Sequence, residues 1–104
     1  MSGDHTEQDG HADAMDFLWT EVANALVLTA LAERHRKSGG HEAADRALAD
    51  AENGFEELVR FLYDRKNAKY ITASERTDLK HEIRLLRKKL DSVKASQGRA
   101  SSQV

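Results

Sequence analysis

The stretch LAERHRKSGGHEAADRALADA, residues 31–51, decides how this chain folds, because it contains the only adjacent glycines in the sequence. Basic residues precede the two glycines, and an alanine-rich segment follows them. Basic residues suit the carboxyl end of a helix, where the helix dipole is negative, and glycine readily adopts the left-handed conformation that ends a helix. The stretch therefore predicts two antiparallel helices joined by a tight turn at Ser38, Gly39 and Gly40.

The composition of the whole chain favours helices. Its 104 residues include no proline, so only the six glycines interrupt a helical pattern. A chain of this length forms one domain with a single modest core. The absence of cysteine excludes disulfides, thiolate metal sites and a cysteine nucleophile, and it fits a cytoplasmic location. We therefore expect a small, cytoplasmic, all-α protein.

The first predicted helix, from about residue 12 to residue 37, is apolar on more than one side. Its apolar residues fall on two faces: Met15, Leu18, Val22, Leu26 and Ala30 on one, and Phe17, Leu28 and Leu31 on the other. A helix that is apolar most of the way round must be covered on several sides. We therefore expect a self-associating helical bundle, such as a homodimer. Because the most apolar part, residues 17–32, is short for a bilayer span, we expect no membrane contact.

Two further helices are predicted after the corner. Apolar residues spaced four and three apart indicate a helix from about residue 41 to residue 67, continuous through Gly54. Thr72 and Glu75 form a capping box, which begins a third, amphipathic helix over residues 72–95. Its apolar seam repeats like a short coiled coil: Leu79, Ile83, Leu86, Leu90 and Val93. This seam can pack on the hairpin of its own chain or on a second copy.

Both ends of the chain are predicted to be disordered, as an acidic arm (residues 1–11) and a polar tail (residues 96–104). Residues 1–21 carry six acidic residues and no lysine or arginine, whereas residues 68–104 carry nine lysines and arginines and four acidic residues. This charge order suits an interaction between the two ends of the chain. It suits two independently solvated ends equally well.

Eight residues around the corner resemble a tetratricopeptide-type helical hairpin: Leu28, Leu31, Ala32, His35, Gly39, Ala44, Leu48 and Ala51. The resemblance covers residues 28–51 and not the whole chain. It implies two antiparallel helices with small residues where they cross. Arrays of such units need about three copies to bury a continuous core, and no second copy is present. The resemblance therefore implies a hairpin geometry without a peptide-binding groove.

The spacing of Arg36 and His41 resembles the R-x4-H motif of the helical HEPN ribonucleases, and Arg76 and His81 repeat it. The resemblance implies an RNA-cleaving site in which His41 transfers protons at the 2′-hydroxyl while Arg36 holds the phosphate. In a chain with this many arginines and histidines, such a spacing arises about once by chance. The chain also has no nucleotide-binding glycine motif and no Glu-x-x-His pair. We therefore expect no enzyme, no cofactor and no metal, with the ribonuclease as a minor alternative.

The function that fits these features is that of a non-catalytic regulatory or adaptor protein, which binds a protein partner through helix faces. Aromatic and large aliphatic side chains commonly anchor interfaces. The candidate contact residues are therefore Trp19, Leu28, Phe61, Tyr63 and Tyr70.

A basic stripe on the third helix suggests a second class of function: Arg76, Lys80, Arg84, Arg87 and Lys88. Most of these residues follow one another at steps of three and four, so they share one side of the helix. They predict binding to nucleic-acid phosphates or to an acidic partner, unless they only keep the protein soluble. The acidic pI of about 6.2 argues against nucleic acid, because DNA-binding domains usually have a pI above about 9. Nucleic-acid binding is therefore the alternative function.

Overall fold

A computed structural model describes the backbone of residues 2–102 and the side chains of residues 10–95. The elements in this part of the chain are three α-helices and one 3₁₀ helix: α1 (Ser2–Lys37), α2 (His41–Tyr63), the 3₁₀ helix (Arg65–Tyr70) and α3 (Ala73–Ser102). No strand occurs among the described residues. The predicted all-α fold is confirmed.

The corner between α1 and α2 is a Schellman turn at Gly39. This glycine has a φ of 86°, which L side chains rarely adopt. The amide of Gly40 donates to the carbonyl of His35 at 2.7 Å, and the amide of Gly39 donates to the carbonyl of Arg36 at 3.1 Å. These two bonds satisfy carbonyl groups of the last turn of α1. The predicted glycine corner is therefore confirmed.

The second helix continues through Gly54, as predicted, but it ends at Tyr63 rather than near Asn67. Asp64 is extended, and its side chain accepts a hydrogen bond from the amide two residues further on at 3.0 Å. The side-chain amide of Asn67 donates to the carbonyl of Phe61 at 3.1 Å. Local side-chain bonds thus compete with the helical ones, and the chain turns into the 3₁₀ helix.

The third helix begins with the predicted capping box. The amide of Glu75 donates to the hydroxyl of Thr72 at 3.1 Å, and the amide of Thr72 donates to the Glu75 carboxylate at 2.9 Å. The backbone bond from Thr72 is the main reason that the pKa of Glu75 lies below its ordinary value. The second carboxylate oxygen lies 2.7 Å from Nε2 of His11. Glu75 therefore also links the start of α3 to α1.

The hydrophobic core lies where the three α-helices meet. Helix α3 runs parallel to α1, because His11 contacts Glu75 at one end and Arg36 donates to the carbonyl of Val93 at the other. The seam of α3 is buried against this hairpin, so the third helix packs on its own chain. The largest fully buried apolar side chains are those of Leu18, Leu58, Leu62, Leu79, Leu86 and Leu90.

Only part of the first predicted apolar face of α1 enters the core. Its buried line consists mostly of small residues: Ala14, Leu18, Val22, Ala25, Thr29 and Ala32. Leu18 and Val22 of the first predicted face are part of this line, whereas Leu26 and Ala30 of the same face are exposed. Small side chains allow helices to approach closely. The close contact with α2 and α3 therefore selects this line and leaves the larger Leu26 outside.

The outer helices are longer than the sequence predicts. Helix α1 begins at Ser2 rather than near residue 12, and α3 continues to Ser102 rather than ending near residue 95. Acidic residues near the amino end suit the first turns of α1, where the helix dipole is positive. Within the predicted arm, residues 1–11, Gly10 and His11 contact Tyr70 and Glu75. The disorder expected of the rest of the arm and of residues 96–104 stays a prediction, because the side chains of residues 1–9 and 96–104 lie outside the described part.

Candidate interaction surfaces

The side of α1 that faces away from α2 and α3 is apolar in the middle and charged at both ends. Its central line has the helical spacing of four and three: Asp16, Thr20, Ala23, Val27, Ala30 and Arg34. We call this surface, with its flanking side chains, the outer face of α1. Its large apolar side chains remain exposed to solvent: Trp19 by 41%, Leu26 by 42%, Val27 by 65% and Leu31 by 37%.

The outer face of α1 has a simple origin in the sequence. No charged residue occurs between Glu21 and Glu33. This uncharged segment makes about three helical turns, so it presents apolar side chains on every side of the helix. Helices α2 and α3 cover only the inward side. Exposed apolar patches that remain contiguous commonly mark interaction sites.

The uncharged segment also lies in a helix that is long enough to cross a membrane. Within Gly10–Lys37 there is a window with a mean hydropathy of 1.3, of which 28% is buried inside the fold. Residues 17–32 continue into this longer helix, so the expectation of no membrane contact stays a prediction. A core helix of a soluble protein meets the same criteria, so length and hydropathy do not decide between the two.

A second surface is a groove between α1, the end of α2 and the 3₁₀ helix. The rings of Phe17 and Phe61 lie 4.7 Å apart at an angle of 39°. Tyr70 packs on Gly10 so closely that an added Cβ would lie 2.4 Å from the ring. Two adjoining cavities of about 220 and 370 Å³ share Phe17, Phe61 and Asn67 as lining residues. The groove therefore brings together two of the predicted contact residues, Phe61 and Tyr70.

The other three predicted contact residues lie elsewhere. Trp19 is on the outer face of α1, Leu28 is half-buried against the core, and Tyr63 is exposed beside α3, with the ammonium of Lys80 5.6 Å from its ring centre. Val27, the most exposed of the large apolar residues, is not among the predicted contact residues. The uncharged segment could have indicated it, because a helix without charged residues must expose apolar side chains on its solvent side.

The basic stripe of α3 is divided between the fold and the solvent. The guanidinium of Arg76 donates to the carbonyl of Leu62 at 2.8 Å, and Lys80 lies over an aromatic ring. Arg84 and Lys88 are exposed, and their side chains make no hydrogen bond or ion pair with other described residues. The stripe therefore offers fewer free cations than its sequence indicates.

The last member of the stripe, Arg87, belongs to an ion-pair network between α2 and α3. Its guanidinium donates to both carboxylate oxygens of Glu52, at 2.7 and 3.2 Å, and it pairs with Asp91 at 2.9 Å. Lys94 also pairs with Glu52. The hydrogen bonds from Arg87 are the main reason that the pKa of Glu52 is lowered to about 2. On this side of the molecule, half-buried charges are paired within the chain.

The residues with the ribonuclease-like spacing lie at the corner of the hairpin. The Nη1 atom of Arg36 donates to the carbonyl of Val93 at 3.2 Å. The Nε and Nη2 atoms of Arg36 are buried without a hydrogen-bond partner in the described part of the chain. His41 is exposed at the first residue of α2. Among the described side chains, no group of three or more His, Asp or Glu residues could hold a metal ion.

No protein-family model matches this chain, and no curated protein or solved structure is significantly similar to it. The resemblances to a tetratricopeptide hairpin and to HEPN ribonucleases therefore stay predictions from the sequence.

Proposed function

We propose that this chain is a non-catalytic regulatory or adaptor protein that binds a protein partner through the outer face of α1. The exposure of Val27, at 65%, in the middle of an apolar helix face supports this proposal most directly. Apolar surface in water costs about 25 cal/mol per Å². A partner that covers the outer face removes this cost.

The shape of the outer face favours a helix of another protein over a small molecule. The face is convex, and its apolar part extends about 20 Å along the helix axis from Trp19 to Leu31. Small ligands bind mostly in concave pockets, whereas helices pack side by side along such ridges. Ala23 and Ala30 on the central line allow a partner helix to approach closely.

The inward side of α1 favours a protein partner over a transmembrane position. Leu18 and Val22 of α1 are buried in the shared core with α2 and α3. Those two helices carry charged residues on their other sides, including the network around Glu52. A membrane span would require α1 to leave this core or charged helices to enter the bilayer, and both are costly.

A photo-crosslinking amino acid at position 27 tests the proposed function in cells that express the chain. We expect a discrete covalent adduct with one protein, which is either a different protein or a second copy of this chain. The matched control is position 49, an exposed alanine of α2, which should give no adduct above background. Equal and diffuse labelling at the two positions would contradict the proposal.

A further inference from the structure

The central line of the outer face is arranged symmetrically about residue 25. Its six positions are Asp16, Thr20, Ala23, Val27, Ala30 and Arg34. These positions form three pairs, and the two members of each pair are equally far from residue 25 along the sequence. The pairs are 16 with 34, 20 with 30, and 23 with 27. A two-fold axis level with residue 25 therefore places each residue of one copy opposite its counterpart on a second, antiparallel copy.

We propose that two copies of this chain pair antiparallel through the outer faces of α1, about a two-fold axis level with residue 25. The inference rests on the proposed function, because it names the partner of that surface. In this register Val27 packs on Ala23 of the second copy, so that large side chains meet small ones. Trp19 comes to lie beside Ala30 of the second copy, where the small side chain leaves room for the indole.

Charge complementarity selects this antiparallel arrangement. Asp16 and Arg34 are both exposed, and neither side chain makes a hydrogen bond or ion pair with other described residues. Antiparallel pairing brings Asp16 of each copy opposite Arg34 of the other, at both ends of the interface. Parallel pairing would instead place Asp16 opposite Asp16 and Arg34 opposite Arg34, and facing like charges are destabilising.

Introduced cysteines test the register directly, because the chain has none of its own. We expect chains with Thr20→Cys to form a disulfide with chains carrying Ala30→Cys when the two are mixed under mild oxidation. Neither variant should cross-link alone, because like positions lie about 15 Å apart along the axis and a disulfide spans at most about 7 Å between Cα atoms. Cross-linking of each variant with itself, but not with the other, would mean parallel pairing and would overturn the proposal.

Charge reversal tests the two end contacts by sedimentation equilibrium. Asp16→Arg or Arg34→Asp alone places like charges together at both ends, so each should raise the dimer dissociation constant about tenfold. The double variant restores opposite charges and should return the dissociation constant to near the original value. Single variants that leave the dissociation constant unchanged would overturn the proposed register.

The centre of the interface is tested with Val27→Glu, which places a carboxylate among apolar side chains. We expect the dissociation constant to rise more than about 100-fold, while circular dichroism and thermal unfolding of the dilute chain stay the same. Ala49→Glu on α2 is the control and should leave the dimer intact. A dimer that survives Val27→Glu would contradict pairing through this face.

Two further outcomes separate this inference from the proposed function. A purified chain that remains monomeric at millimolar concentration overturns pairing with a second copy. An adduct from position 27 to a different protein would then still support the proposed function. Flotation of the monomer with phosphatidylcholine and phosphatidylglycerol vesicles, lost in Val27→Glu, would overturn both, because the apolar face would then serve a membrane.

Discussion

The two sides of this helical bundle meet the solvent in different ways. Between α2 and α3, Glu52 pairs with Arg87 and Lys94, so that half-buried charges are neutralised within the chain. On the outer face of α1, side chains such as Val27 are apolar and exposed. One side of the fold is therefore complete in a single chain, whereas the other side has apolar surface in excess.

The difference arises from where each helix places its large side chains. Helix α2 directs Leu58 and Leu62 into the core. Helix α1 directs several small residues inward, such as Ala25, and larger ones such as Leu26 outward. The small inward side chains let α1 approach α2 and α3 closely, and the larger apolar side chains are left on the solvent side.

The largest expected effect compares the same substitution on the two sides of α1. Leu18→Ala should lower the free energy of unfolding by about 3 kcal/mol, because Leu18 is fully buried and its removal leaves a cavity. Leu26→Ala should lower it by less than about 1 kcal/mol, because that side chain is partly exposed already. Urea denaturation at high dilution, where chains do not associate, measures both. Equal losses would contradict the assignment of an inner and an outer face.

A smaller effect is expected at the ion-pair network. Arg87→Ala should lower the free energy of unfolding by about 2 kcal/mol, because the half-buried Glu52 carboxylate loses the two hydrogen bonds that Arg87 donates and keeps only its ion pair with Lys94. Arg84→Ala, on the same helix, is the control and should change it by less than about 0.5 kcal/mol. Thermal and urea unfolding provide the measurement. A similar loss in both variants would mean that the network does not stabilise the contact between α2 and α3.

The pH dependence of unfolding sharpens the same comparison. The pKa of Glu52 in the folded chain is about 2, below the ordinary value of 4.5. Its stabilising effect is therefore fully present above pH 4.5 and is lost as the pH falls towards 2. When the pH is lowered from 4.5 towards 2, the free energy of unfolding should fall by about 1 kcal/mol less in Glu52→Gln than in the parent chain, after allowance for solvent screening. Glu56→Gln, at an exposed carboxylate of α2, is the control and should follow the parent.

The smallest effect is expected where α1 meets the start of α3. His11→Ala removes the contact with Glu75 but leaves the capping box with Thr72 in place. Because both side chains of this pair are partly exposed, the loss should be about 0.5 kcal/mol or less. A loss as large as that of Arg87→Ala would mean that the contact between His11 and Glu75 stabilises the fold as much as the ion-pair network around Glu52.

Local features of the fold could be predicted from the sequence because a few neighbouring residues determine them. Gly39 supplies the left-handed conformation of the corner, and Thr72 and Glu75 have the spacing of a capping box. The seam of α3 could be predicted as well, because its period marks a single apolar face. These features can be predicted without knowing which helices pack against each other.

The inward face of α1 and the ion-pair network could not be predicted in this way. In residues 22–32 there is no charge to mark the solvent side, so the period does not distinguish Ala25 from Leu26. The choice depends on the fit to α2 and α3. Likewise, Glu52 and Arg87 lie 35 residues apart, and only the packing of α3 on its own hairpin brings them together. The candidate surface on α1 follows from the first of these choices, which is why Val27 was missed.

The guanidinium of Arg36 has a consequence for how the bundle opens. Two of its nitrogens are buried without a partner in the described part of the chain, and Arg36 and Val93 line a cavity of about 180 Å³ between α1 and α3. This end of the contact between α1 and α3 is therefore less tightly packed than the end at Leu79, which is fully buried. We expect the amide hydrogens around Val93 to exchange with deuterium sooner than those around Leu79, which makes the corner end of the bundle the first to open.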